Sequence, residues 1–146
     1  MTGSFFDRFG KFFYNKLKIK MNKASKTILV IDDSEVALEV IKDDLTSAGF
    51  SVMSARSGAE AEDIVFSGYQ PDLIFLDVMM PGMNGDEFCK KLKSRSDTKE
   101  IPIVFVSTKD DSELKEMIRR AGADGYIRKA LLTSGGLSRM LERFLA

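Results

Sequence analysis

The chain of 146 residues is the size of one domain, and its 44% apolar and 30% charged residues are ordinary globular usage. It has no histidine and one cysteine, Cys89, which excludes histidine triads, imidazole metal ligands, internal disulfides and cysteine-rich zinc sites. Its 22 basic and 22 acidic residues cancel, yet residues 1–26 carry seven basic residues against one acid, so a basic segment precedes an acidic body.

In residues 1–25, Phe5, Phe6, Phe9, Phe12, Phe13 and Leu17 fall on one face at helical spacing, with Asp7, Arg8, Lys11 and Lys18 opposite. Ser4 followed by Asp7 is a capping-box start. The spacing predicts an amphipathic helix from Phe5 to Leu17, roughly 20 Å long and too short to span a bilayer. A basic linker follows it. Exposed phenylalanines need a partner. Three fates compete: self-association or packing on the chain's own body, contact with an anionic membrane surface, and folding onto another protein. The acidic body favours the first. No 18-residue apolar run and no uninterrupted signal-peptide core are present, so a cytoplasmic protein is expected, with peripheral contact at the inner membrane face as its only membrane association.

From residue 26 onward, short apolar runs alternate with helical patterns. Ile28–Ile31 is a continuous strand ended by Asp32 and Asp33. Val36, Ala37, Val40, Ile41, Leu45 and Ala48 recur at helical spacing, and Gly49 stops that helix. Ser51–Ala55 predicts a second strand, and Ser57-Gly58 opens a second helix ending near Gly68. Leu73–Leu76 is a third strand ended by Asp77, followed by a helix over Gly85–Ser94. Ile103–Val106 is a fourth strand ended by Ser107, and Leu114, Met117, Ile118 and Ala121 mark a fourth helix. Tyr126-Ile127 is a short fifth strand, Lys129 follows it, and Leu137, Met140, Leu141 and Phe144 mark a last helix. Five βα units, with the runs Ile28–Ile31, Leu73–Leu76 and Ile103–Val106 apolar on every residue, predict an α/β, doubly wound five-stranded parallel sheet of order 2-1-3-4-5, plus the N-terminal helix.

In such sheets the site lies beyond the carboxyl ends of the strands. Asp32, Asp33, Asp77, Ser107 and Lys129 all sit there. Packed carboxylates repel unless a divalent cation neutralises them, and hard oxygen ligands suit Mg²⁺. A lysine clamps anions and a small hydroxyl donates to an incoming oxygen. Together these residues make a phosphoryl-transfer site with Asp77 as carboxylate nucleophile and an aspartyl phosphate as product.

This constellation resembles the receiver domain of bacterial response regulators over residues 26–146. Asp32-Asp33 matches the family's acidic pair, and Leu76–Gly85 the segment around its phosphoacceptor. Ser107 matches its switch hydroxyl, Tyr126 its switch aromatic and Lys129 its lysine. The intervals are also those of the family: 44 residues from Asp33 to Asp77, 30 on to Ser107, and 22 on to Lys129. The resemblance implies that Asp77 takes a phosphoryl group from a sensor histidine kinase, a phosphotransfer protein or a small phosphodonor. It implies Mg²⁺ held by Asp32, Asp33, Asp77 and the Met79 backbone carbonyl. It implies that Ser107 and Lys129 bind the phosphoryl oxygens, and that Tyr126 rotates as Ser107 moves, switching a surface for a downstream protein target.

Two positions depart from the family pattern. Ala130 follows Lys129 where the family has proline, often after a cis bond, and Thr108 replaces the more common alanine. Either the Lys129–Ala130 bond is trans and the loop is reshaped, or the site holds the roughly 2.5–4 kcal/mol of a non-proline cis bond. The expected function is that of a single-domain response regulator, since only Ala146 follows the last helix and no nucleic-acid-binding module is in view. The alternative is a pseudo-receiver that binds proteins without being phosphorylated. A phosphatase lacks a substrate cap, and a nicotinamide enzyme lacks the Gly-rich loop after the first strand.

Overall fold

The computed structural model describes residues 26–131, so residues 1–25, with their expected helix, and the expected last helix around Leu137–Phe144 lie outside the described residues. The elements are β1 (Thr27–Ile31), α1 (Glu35–Ser47), β2 (Ser51–Ala55), α2 (Gly58–Phe66), β3 (Leu73–Asp77), α3 (Gly85–Lys93), β4 (Ile103–Ser107), α4 (Asp111–Ala121) and β5 (Gly125–Arg128), closed by a 3-10 turn over Lys129–Leu131. All strand pairs are parallel, and the order is β2-β1-β3-β4-β5, as the alternation of elements predicts.

Alternate residues of the strands face opposite layers. Ile28, Val30, Leu73, Phe75, Val104 and Val106 pack with Leu38, Ile41 and Leu45 of α1. Leu29, Ile31, Ile74, Leu76, Ile103 and Phe105 pack with α2, α3 and α4 through Ala61, Val65, Phe88, Cys89, Leu92 and Leu114. Cys89 is filler in this second layer, as expected of a lone cysteine on an apolar helix face. The stripe on α1 differs from the one read in the sequence. Its buried residues are Ala37, Leu38, Ile41 and Leu45, while Val36 is 76% exposed and Val40 39% exposed. One turn takes 3.6 residues, so a face centred on Leu38 and Ile41 puts Val36 nearly opposite it and Val40 beyond its edge.

Local chemistry starts each helix. Ser34, Ser57, Asn84 and Asp110 accept hydrogen bonds from the backbone N–H three residues on, at 2.9–3.2 Å. Glu60 Oε1 accepts from the Arg56 N–H at 2.9 Å, which fixes the turn between β2 and α2. At the far end of α4, Gly122 takes the left-handed conformation (φ 79°) and donates to the Ile118 carbonyl.

Two anchors far apart in sequence hold the connections around β4. Lys93 Nζ donates to Asp124 Oδ2 at 2.8 Å and to the Ile101 carbonyl at 2.9 Å, and the same carboxylate oxygen accepts from the Ile103 N–H at 2.8 Å. Gly85 opens α3 at a close approach. A Cβ there would lie 3.0 Å from Val78 Cγ1 and 3.4 Å from Phe105 Cζ. Gly85→Ala should therefore destabilise the fold by about 1–2 kcal/mol, overpacking outweighing the helical preference of alanine. Urea unfolding of the two proteins checks this, and a stabilised variant would contradict it.

Candidate functional site

Strand register builds the site. Ile31 pairs with Leu76, so the next residues, Asp32 and Asp77, emerge side by side from the two central strands. Asp77 pairs with Val106, placing Ser107 one residue beyond it on the neighbouring strand. Ser107 pairs with Arg128, so Lys129 turns in just past that hydroxyl. The four groups share one edge because each strand runs out of apolar residues at the same level.

Carboxylate oxygens of Asp32, Asp33 and Asp77 all lie within 4.8 Å of one another. Asp32 is 1% and Asp77 3% exposed, whereas Asp33 is exposed to solvent. One oxygen of each buried acid is held by the backbone: Asp32 Oδ1 accepts from the Ser34 N–H and Asp77 Oδ1 from the Met79 N–H, both at 2.9 Å. Asp32 thus shapes the turn into α1, and Ser34, not the acidic pair, caps that helix. Lys129 Nζ faces the remaining oxygens, 2.9 Å from Asp77 Oδ2 and 3.3 Å from Asp32 Oδ2. The first contact is a hydrogen bond. The second is an ion pair without hydrogen-bond geometry, and it leaves Asp32 Oδ2 buried with no hydrogen-bond donor.

The charges follow from this packing. Burial raises the pKa of Asp32, against the Ser34 N–H; the charge of Asp77 pushes it further up, and Lys129 pulls it down. The folded state therefore holds this proton more tightly than the unfolded chain does. Ionising Asp32 as the pH rises costs stability, and the whole cost is present above the folded pKa. Burial acts to lower the pKa of Lys129, but its hydrogen bond to Asp77 and the charges of Asp77 and Asp32 outweigh burial and raise it, so the ammonium is retained. Three clustered carboxylates with one lysine leave excess negative charge, and the orphan Asp32 oxygen points into it. A hard divalent cation with oxygen ligands fits this donor set.

The other residues singled out in the sequence have definite places. Ser107 is fully buried, and its Oγ accepts from the Lys109 N–H at 3.0 Å, which leaves its own proton to donate. Tyr126 is buried at 2% exposure, with its hydroxyl 3.4 Å from Asp111 Oδ1 in the first turn of α4. Met80 is buried, Met83 is partly buried against the core, and Met79 is 47% exposed. Thr108 is exposed at the rim. There is no cis peptide bond among the described residues, so Lys129–Ala130 is trans and the chain turns there through the 3-10 segment.

Arg56 is a further neighbour of the site, outside the residues that the strand-end pattern marks. Its Nη2 lies 3.5 Å from the Asp33 carbonyl oxygen. It belongs to no periodic pattern, and its one signal is its position directly after β2, at the same edge as the acids.

Comparison with known proteins agrees with this geometry. A family model described as the response regulator receiver domain matches residues 28–140. The chain is 37% identical over 113 residues to the response regulator MprA of Mycolicibacterium vanbaalenii, covering 77% of this chain and 48% of the relative. MprA of Mycobacterium bovis is 37% identical over 116 residues, covering 80% of this chain and 49% of the relative. The chain thus spans about half the length of these relatives. Among solved structures, the chemotaxis response regulator CheY4 of Vibrio cholerae superposes with a TM-score of 0.72 at 31% identity, over 84% of this chain and all of that one. The phosphorylated cyanobacterial phytochrome response regulator RcpA gives 0.65 at 26% identity, over 84% of this chain and 90% of that one. With its strand order, its clustered strand-end acids and the family match over residues 28–140, the chain belongs to the response regulator receiver domain family of two-component signalling.

Proposed function

We propose that this chain is a phosphorylation switch in which Asp77 accepts a phosphoryl group in a Mg²⁺-dependent reaction. The observation that carries the reading is the convergence of Asp32, Asp33, Asp77 and Lys129 at one edge of the sheet, with a buried carboxylate oxygen left without a hydrogen bond. In the transfer, an oxygen of the Asp77 carboxylate forms a bond to phosphorus. The donor's bond to phosphorus breaks, and its electron pair leaves with the donor group. Lys129 meets the negative charge of the phosphoryl oxygens, and the Ser107 hydroxyl donates to one of them. Asp32, Asp33, Asp77 and the Met79 carbonyl would hold Mg²⁺, which when bound supplies positive charge against the same oxygens. Retraction of Ser107 toward the phosphoryl group gives Tyr126 a reason to move, and Tyr126 touches the first turn of α4, so a surface there would pass the signal to a protein target. The donor would be a sensor histidine kinase or phosphotransfer protein. The phenylalanines of residues 1–25 would add a contact with a second copy or another protein.

No helix among the described residues is long and apolar enough to cross a membrane. Acetyl phosphate with Mg²⁺ should add one phosphoryl mass to the intact protein, and chelation of the metal should prevent it. Mg²⁺ alone should raise the melting temperature by mass action, and the rise should shrink in Asp33→Ala. A chain that gains no mass under these conditions would instead be a phosphorylation-independent binding module.

A further inference from the structure

Arg56 stands at the acidic edge with a cavity beside it. Its guanidinium is 3.5 Å from the Asp33 carbonyl oxygen and 4.0 Å from Glu35 Oε2, and its side chain is 56% exposed. The cavity holds about 260 Å³ and is lined by Asp33, Arg56, Ser57, Met80, Pro81 and Met83 among others. It therefore runs from one of the clustered acids to a cation, over an apolar floor. A site built to gather negative charge around a metal does not need a cation at this rim, and the long contacts to Asp33 and Glu35 do not define a tight structural bridge. The arrangement fits a small anion that carries an apolar group.

We propose that Arg56 and this cavity receive the leaving group of a small acyl phosphate donor; the inference rests on the reading of Asp77 as the acceptor. As the Asp77 oxygen bonds to phosphorus, the bond between phosphorus and the acyl oxygen breaks. Both electrons stay on that oxygen, the acyl group departs as a carboxylate, and no proton moves. Negative charge grows on the departing oxygen during the step, and a guanidinium at the rim stabilises it. The methyl group of an acetyl donor packs against Met80 and Pro81. Phosphoramidate makes the opposite demand. Its nitrogen carries its proton already and leaves as neutral ammonia, so Arg56 offers it no such stabilisation.

The test is a time course of intact mass on the full chain with Mg²⁺, using acetyl phosphate and phosphoramidate in parallel. Arg56→Gln should slow labelling by acetyl phosphate about three- to tenfold at low salt and phosphoramidate by less than about twofold, with high salt narrowing the gap because the group is exposed. Arg56→Lys should fall between, and Glu35→Gln, which removes a competing acid, should speed acetyl phosphate. The ratio of the two donor rates is read within one protein, so a general loss of folding or metal affinity cancels. Equal slowing with both donors, or no change with either, overturns the role of Arg56 while leaving Asp77 as acceptor. A wild-type chain labelled by neither donor overturns both readings.

Discussion

Asp77→Asn should abolish labelling by any phosphodonor. The amide has nearly the shape of the carboxylate, and its oxygen can still accept the Met79 N–H that now reaches Asp77 Oδ1 at 2.9 Å. The variant therefore keeps the turn after β3 and loses the nucleophile. Lys129 keeps one buried partner, Asp32, at 3.3 Å. An amide is a poor nucleophile, so the expected result is no phosphoryl mass at times that saturate the wild type, with an unchanged circular dichroism spectrum. Undiminished labelling would move the acceptor to another carboxylate and remove the basis of the mechanism.

The second large effect is on stability. Lys129→Met keeps most of the side-chain volume but removes the cation between two carboxylates that are 2–3% exposed. Breaking one partner from a buried ion pair leaves uncompensated charge, and with Lys129 itself 26% exposed we expect a loss of about 2–4 kcal/mol without divalent metal. That corresponds to a melting temperature lower by on the order of 10 °C. Mg²⁺ should restore much of it, since the cation would neutralise the same carboxylates. Asp32→Asn should act with the opposite sign. It removes a buried charge whose ionisation is disfavoured, so at neutral pH without metal it should stabilise the fold by about 1 kcal/mol. Melting curves of the three proteins, with chelator and with Mg²⁺, give the comparison. Stabilisation by Lys129→Met in chelator would contradict the electrostatic account.

The sheet was legible because β1, β3 and β4 are buried on both faces and so read as unbroken apolar runs. The strand-end acids were legible for the same reason, since an acid directly after such a run has only one edge of the sheet to occupy. What was not legible depends on tertiary packing. Periodicity gave α1 a helix but did not say that Leu38 lies within the buried face while Val36 and Val40 lie outside it. Lys93 and Asp124 are 31 residues apart in sequence and meet only once β4 and β5 are paired. Arg56 has no pattern of its own, and its nearness to Asp33 is produced by the pairing of β1 with β2.

The single thiol of the chain gives the second core layer a built-in clock. Cys89 is 0% exposed on α3, and burial pushes its pKa up to about 12. At neutral pH it is neither reachable nor ionised, so an alkylating reagent can modify it only after α3 lifts from β3 and β4. When reclosing is fast, the modification rate is the intrinsic thiol rate multiplied by the open fraction, and each 1.4 kcal/mol of opening free energy slows it about tenfold. Because α3 begins just after the loop that carries Met79 and Met80, one sulfur atom would register whether events at the acidic edge tighten or loosen this half of the molecule.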